Sequence, residues 1–314
     1  MMNKISKKYI NSFTIFAPTI KDYLQAPIHP NRQIGGRKLF KINFDINIPL
    51  VTIITPVLNR KESLERTIRS VLAQTYENIE YIIIDGASND GTLDIIKKYD
   101  ENIHLWISEP DSNIPDAVNK AISLSSGHYI AWAPSDDWME VDFIQIAVQA
   151  LLKTNLDFVF GDVKLFDGDK FISITKGDPN YKNRILLEVP SLSYPTMVIK
   201  RDCFKKVGLL DLNFPLSCDY EWALRLHLNG GVGVYESRLV SNFSLGGVST
   251  RSDFQQIYQN LMIMRRHGLI NFKTVIPYIR RVIRYSIGSL VRNLLPKSIH
   301  RKLKNILLNK KQYK

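Results

Sequence analysis

Between residues 50 and 133, short apolar runs rich in β-branched residues alternate with segments of helical pattern. This alternation restricts the possible folds more than any other feature of the chain. PLVTIITP (49–56) reads as a buried strand stopped by Pro56. In residues 61–73, Leu64, Ile68, Val71 and Leu72 share one helical face. YIIID (81–85) is a second buried strand. Ser88-Asn-Asp-Gly makes a turn, and Thr92 is placed to cap the helix that follows. HLWIS (104–108), a helix over 115–125 and HYIAWA (128–133) continue the alternation. Strands and helices at this spacing predict an α/β fold with a doubly wound, mostly parallel sheet.

The second half is less regular. It predicts a hairpin from 157–163 and 171–175 around Asp167-Gly168, a strand over 195–200, a helix over 217–229 and a strand over 232–240. Ahead of the first strand, Pro27, Pro30, Gly35 and Gly36 break any long helix, so residues 1–48 read as an extension that packs on the domain.

Ligands of doubly wound sheets bind beyond the carboxyl ends of the strands. The polar residues that follow the strands are Asn59, Asp85, Asp111 and the pair Asp136-Asp137, all bound for one edge. One Asp after a strand is usually a cap or a turn former. Four strand ends that each offer an amide or carboxylate are harder to read that way. Adjacent carboxylates repel unless a cation or a hydrogen bond offsets them. A hard cation with oxygen ligands, Mg²⁺ or Mn²⁺, would do so and would also suit a diphosphate leaving group. The plain alternative is an Asp cap with a solvated neighbour. Gly86, Gly91 and Gly127 form no G-x-G-x-x-G, which disfavours a dinucleotide-dependent oxidoreductase. His104, His128 and His227 have no His or Cys at metal spacing, and Cys203 and Cys218 fit a reducing compartment.

TIITPVLNR, YIIIDGASNDGT, SEPDSNIPDAVNKAI and GHYIAWAPSDDW, in that order and spacing, resemble the family-2 glycosyltransferases of the GT-A fold over roughly residues 50–245. The resemblance implies inverting transfer of a sugar from a nucleotide-sugar, most simply a UDP-sugar, to a saccharide or lipid-linked acceptor. It implies Pro56 and Asn59 at the donor base, with Asp85 hydrogen-bonded to a ring N–H. Asp111 joins the donor-binding set. Asp136 is implied near the ribose or donor sugar, and Asp137 as the ligand of Mn²⁺ or Mg²⁺. Ala133-Pro134 stand where many relatives have a polar or acidic pair, which leaves the division of roles between Asp136 and Asp137 open. SCDYEWALRL matches the family's acidic segment, with Asp219 as the general base and Glu221 as the second candidate. Arg225 lies four residues after Glu221, at ion-pair spacing. The Gln-x-x-Arg-Trp segment of processive synthases is missing, which implies addition of one sugar at a time.

Residues 254–314 carry 14 Lys or Arg and no Asp or Glu, against a net charge of +12 for the whole chain. The preceding residues are therefore slightly acidic overall. Ile279, Val282, Ile283, Ile287, Leu290, Val291 and Leu294 make one apolar stripe, and Ile299, Leu303, Ile306 and Leu307 repeat it beyond Pro296. Amphipathic basic helices of this kind suit an anionic membrane surface. The alternative is a layer docked on the catalytic domain. The stripe needs an apolar partner, so nucleic acid is not expected. No apolar run reaches membrane-spanning length and no secretory signal is legible at the N-terminus. The expected arrangement is an extension (1–48), a GT-A domain (49–250) and a basic helical tail (251–314), cytoplasmic and peripheral on the inner membrane face. A catalytically inactive membrane-bound scaffold of the same fold is the rival reading.

Overall fold

The computed structural model describes residues 17–37, 44–186, 192, 194–247, 253–271 and a few positions between 274 and 283. The chain divides into two compact units, Met1–Ile263 and Met264–Lys314, and the site lies in the first. The tail helices expected over 278–296 and beyond 298 fall almost wholly outside the described residues.

Helix α1 (Ile20–Leu24) and strand β1 (Gln33–Gly35) precede the alternating region. That region gives β2 (Val51–Val57), α2 (Lys61–Leu72), β3 (Ile79–Asp85), α3 (Thr92–Lys98), β4 (Leu105–Ser108), α4 (Ile114–Leu124) and β5 (Tyr129–Trp132). After these come β6 (Trp138–Met139), α5 (Phe143–Thr154), β7 (Phe158–Asp167), β8 (Lys170–Thr175), α6 (Tyr181–Arg184) and β9 (Val198–Lys200). The last described elements are α7 (Asp202–Val207), α8 (Cys218–Leu228), β10 (Gly233–Ser244) and α9 (Asp253–Arg266).

The strand order is β1-β4-β3-β2-β5-β9-β7-β10-β6, with β8 added to β7. β4, β3, β2 and β5 are mutually parallel, and β10 is parallel to β7. β1, β9, β8 and β6 pair antiparallel with their neighbours. Sequence order runs outward from β2 to β4 on one side and resumes with β5 on the other. The gap between β2 and β5 is thus a topological switch point. β2 and β3 are buried almost throughout because helices cover both faces, which is why they read as continuous apolar runs.

Three local expectations change. The strand expected over 195–200 is shortened to β9, Val198–Lys200, because Tyr194–Thr196 turn as a 3-10 helix ahead of it. Leu72, placed on the apolar stripe of α2, is exposed at the helix end, and Leu64, Thr67, Ile68 and Val71 make the buried face. Thr92 is the first helical residue and not the cap. Gly91 takes the cap position at φ 97°, a left-handed conformation that glycine adopts without strain. The Thr92 hydroxyl instead donates to Asp90 Oδ1 (2.5 Å) and accepts from the Arg60 N–H (2.8 Å), joining the loops after β2 and β3.

Candidate active site

Register places the ends of three strands level, with Val57 opposite Asp85 and Asp85 opposite Ser108. Pro56 lies one residue before the end of β2, opposite Ile84. Asn59, at φ 52°, accepts from the Asn89 N–H (3.0 Å) and donates its own N–H to Ser88 Oγ (2.8 Å). Asp85 has no exposed surface. Its carboxylate accepts from the Ser88 hydroxyl (2.5 Å) and N–H (3.1 Å) and from the Ser108 hydroxyl (2.6 Å). Asp85 thus holds the turn that Asn59 also grips. Asp111, two residues beyond Glu109, is half-buried, and its carboxyl has no hydrogen bond among the described residues. Burial, then Asp116, Asp85 and Glu109, push it up to about 6 against the pull of Lys120. A Cβ on Gly86 would come within 2.6 Å of Asp111 Oδ2, so the glycine makes room for this carboxylate.

Asp136 and Asp137 follow β5 on a loop held by one polar face of α2. Ser63 Oγ donates to the Ser135 carbonyl (2.9 Å), Thr67 Oγ1 to the Asp137 carbonyl (2.6 Å), and the Ser70 hydroxyl accepts from the Met139 N–H (3.2 Å). Arg66 lies over the Trp138 ring at 3.7 Å. The helical spacing of 63, 66, 67 and 70 puts these side chains on one face. Asp136 is partly exposed, 3.7 Å from Arg60 Nε. Asp137 is 2% exposed. Its Oδ1 accepts from the Ser244 N–H (2.9 Å) at the end of β10, and its Oδ2 is buried with no hydrogen-bond partner among the described residues. Burial, then the neighbouring Asp136, raises Asp137 well above the usual carboxylate range, opposed by the Ser244 N–H and Arg66.

At the start of α8 the two candidate bases have different surroundings. Glu221 is buried and takes bonds from Arg225 Nε (3.1 Å) and Nη2 (2.7 Å). Arg225 also donates to the carbonyls of Val207 and Leu209 (2.7 Å for the latter). Asp219 is half-buried, and the only hydrogen bond seen at its carboxyl among the described residues comes from the Tyr220 N–H (2.7 Å). Burial lifts it to about 6, with the Tyr220 N–H opposing. The loop leading into α8 is tied to α4, since Asn113 Nδ2 donates to the Leu212 carbonyl (3.1 Å) and Asn119 Nδ2 to that of Leu210 (2.8 Å).

Residues 52–208, half the chain, match the family described as glycosyl transferase family 2. This chain belongs to that family. The putative teichuronic acid biosynthesis glycosyltransferase TuaG of Bacillus subtilis is 36% identical over 149 residues, 44% of this chain and 59% of TuaG. The chain therefore spans well under two thirds of that relative. The UDP-Glc:alpha-D-GlcNAc-diphosphoundecaprenol beta-1,3-glucosyltransferase WfaP of Escherichia coli is 25% identical over 225 residues, 70% of this chain and 87% of WfaP. Among solved structures, the mannosyltransferase PcManGT of Pyrobaculum calidifontis, in complex with GDP-Man and Mn²⁺, superposes with a TM-score of 0.55 at 14% identity, covering 91% of this chain and 84% of that one. That likeness supports the fold.

In this glycosyltransferase the orphaned Asp137 Oδ2 fits a divalent cation. No three His, Cys, Asp or Glu side chains group as a cage among the described residues, so such an ion would take further oxygens from phosphate and water, as Mg²⁺ and Mn²⁺ commonly do. Sequence reasoning missed Ser63, Thr67 and Ser70, whose spacing was legible but whose partners were not. It also missed Ser244 and Tyr194. The Tyr194 phenol is buried beside Asp219 and has no hydrogen-bond partner among the described residues.

Proposed function

We propose that this enzyme transfers a single sugar, with inversion, from a nucleotide-sugar to a saccharide or lipid-linked acceptor in the synthesis of a surface polysaccharide. The observation that carries this reading is that Asp85 ends β3 level with the ends of β2 and β4, Asp111 lies against Gly86, and Asp136-Asp137 follow β5 on the other side of the switch point, with one Asp137 oxygen unpartnered among the described residues. The names of TuaG and WfaP support the polysaccharide setting, and WfaP's supports a UDP-sugar donor and a lipid diphosphate acceptor.

Asp111, whose oxygens are free of hydrogen bonds among the described residues and lie beside Gly86 at the end of β3, accepts the ring N–H of the base. Asp85, whose oxygens are engaged, instead holds the Ser88 turn against which Pro56 and Asn59 lie. Asp136 borders the ribose and sugar. Asp137 holds the cation, Mn²⁺ or Mg²⁺, which when bound neutralises charge developing on the departing diphosphate. Asp219 takes the acceptor hydroxyl proton, and a value near 6 leaves it ionised yet basic at neutral pH. Glu221 positions α8 through Arg225 and is not the base. The basic tail brings the enzyme to the anionic inner face of the membrane, where a lipid-linked acceptor would lie.

UDP-, GDP- and dTDP-sugars should be screened for hydrolysis and transfer with Mn²⁺, Mg²⁺ and EDTA, and the anomer formed read by NMR. Metal-dependent turnover of one nucleotide class with inversion is expected. Retention, or full activity in EDTA, would reject the mechanism.

A further inference from the structure

Asp111 sits on the short loop between β4 and α4, and that loop is held on both sides by residues that precede the family-matched stretch of 52–208. On the upstream side, Arg32 donates Nε and Nη2 to Glu109 at 2.5 and 2.9 Å. Lys120 of α4 pairs with the same carboxylate. Burial alone would raise Glu109, but the bonds from Arg32 and Lys120 outweigh it and hold it below its ordinary value. On the downstream side, the Tyr23 hydroxyl at the end of α1 donates to Asp116 Oδ1 at 2.7 Å. Asp116 Oδ2 in turn accepts from the N–H (2.9 Å) and hydroxyl (2.7 Å) of Ser112, the residue next to Asp111. Asp111 is thus bracketed by two anchored neighbours, each tied to the same N-terminal segment.

That segment is itself fixed. β1 pairs antiparallel with β4, Gln33 opposite Ser108 and Gly35 opposite Trp106. The Gly36 N–H (2.9 Å) and Trp106 Nε1 (2.5 Å) both donate to Asp100 Oδ1. A Cβ on Gly35 would meet the Trp106 ring at 2.5 Å, so the close approach requires glycine there.

We propose that residues 17–37 are a clamp on the donor-nucleotide site, in which Arg32 and Tyr23 are positioning residues that fix Asp111 for the base. The proposal rests on the reading of Asp111 given above. A hydrogen-bonding group misplaced by an ångström loses much of its value, so loosening the loop weakens recognition of the base and leaves the phosphate end untouched.

Full-length Tyr23→Phe, Arg32→Gln, Asp111→Asn and the double variant Tyr23→Phe/Asp111→Asn should be titrated with UDP and, separately, with inorganic pyrophosphate, both with Mn²⁺. Asp111→Asn should weaken UDP by about tenfold, and each clamp variant by a smaller factor of at least about three. Pyrophosphate affinity should stay at the wild-type value. The double variant should bind UDP no more weakly than Asp111→Asn alone, because Tyr23 acts through Asp111. UDP and pyrophosphate weakening together, or additive losses in the double variant, would overturn the proposal in favour of a merely structural segment. Wild-type UDP affinity in Tyr23→Phe while Asp111→Asn is weakened would overturn the clamp alone. Wild-type affinity in Asp111→Asn would overturn the reading of Asp111 itself. Tyr23→Phe removes no charge, so it keeps the test open should Arg32→Gln fail to fold.

Discussion

Ser244 donates its backbone N–H to Asp137 Oδ1 at 2.9 Å across 107 residues of sequence. This bond fixes the carboxylate at the end of β10 while Oδ2 stays buried and without a hydrogen-bond partner among the described residues. Burial and Asp136 raise Asp137 in the folded state, so without metal the folded protein binds this proton more tightly than the unfolded chain does. The associated stability is complete below the ordinary carboxylate value and is lost as pH rises toward the raised one. The metal-free protein should therefore unfold at a lower temperature as pH rises toward neutrality. Mn²⁺ with UDP should reverse this in the wild type, and Asp137→Asn should abolish the protection and lessen the pH trend to the part that Asp111 and Asp219 contribute. Thermal unfolding across pH, with and without Mn²⁺, checks it. Full Mn²⁺ protection of Asp137→Asn would place the cation elsewhere.

Asp219 and Glu221 should fail in different ways. Asp219→Asn should lower kcat by about 10² or more and leave UDP affinity and folding intact. The wild-type rate should fall below about pH 6, as the base takes up its proton. Glu221→Gln should act on the fold, because it removes the carboxylate that balances the buried Arg225 charge, a loss of about 3–5 kcal/mol. Steady-state rates set beside thermal unfolding separate the two. A well-folded but inactive Glu221→Gln would make Glu221 the base.

Asp111 should give nucleotide binding a pH dependence of its own. A ring N–H donates more strongly to the carboxylate than to its acid form, so UDP should bind more weakly as pH falls through about 6. Calorimetry of UDP binding between pH 5 and 8, from about one unit below this value to about two above it, would show it. The same slope in Asp111→Asn would assign the proton to another group.

The parallel half of the sheet was legible because both faces of β2 and β3 are covered, so Ile53, Ile54 and Ile82–Ile84 form uninterrupted apolar runs. The carboxylates beyond the strands followed too, since a strand's end fixes where its next Asp goes. β1 was not legible: Gln-Ile-Gly has no strand signature and pairs only because Gly35 lets Trp106 approach. Nor was β6, two residues long and held by β10. Long-range bonds leave no local trace, which hid Ser244 on Asp137 and Arg32 on Glu109. The surroundings of Asp85 were hidden for a related reason. Its position at the strand end was legible, but the bonds from Ser88 and Ser108 to its oxygens were not.

The basic tail should hold the enzyme on anionic vesicles. Fourteen cations and no anions in residues 254–314 supply the attraction, worth about 1 kcal/mol for each residue near the surface. The apolar stripe supplies burial that salt does not screen, so raised salt should weaken binding without abolishing it. The first part of this stretch also has a task in the catalytic unit. Gln259 of α9 accepts from the Leu216 N–H (2.9 Å) and Gln256 donates to its carbonyl (3.2 Å), three residues before Asp219. A truncation at residue 252 would therefore disturb the base, and the informative cut lies beyond Arg266. A chain ending near residue 271 should remain in the supernatant with vesicles of phosphatidylglycerol, yet still hydrolyse a soluble donor. The full-length chain should sediment with them at low salt. Full-length protein left in the supernatant would reject the membrane reading, and insolubility of the shortened chain would favour a tail that docks on the enzyme.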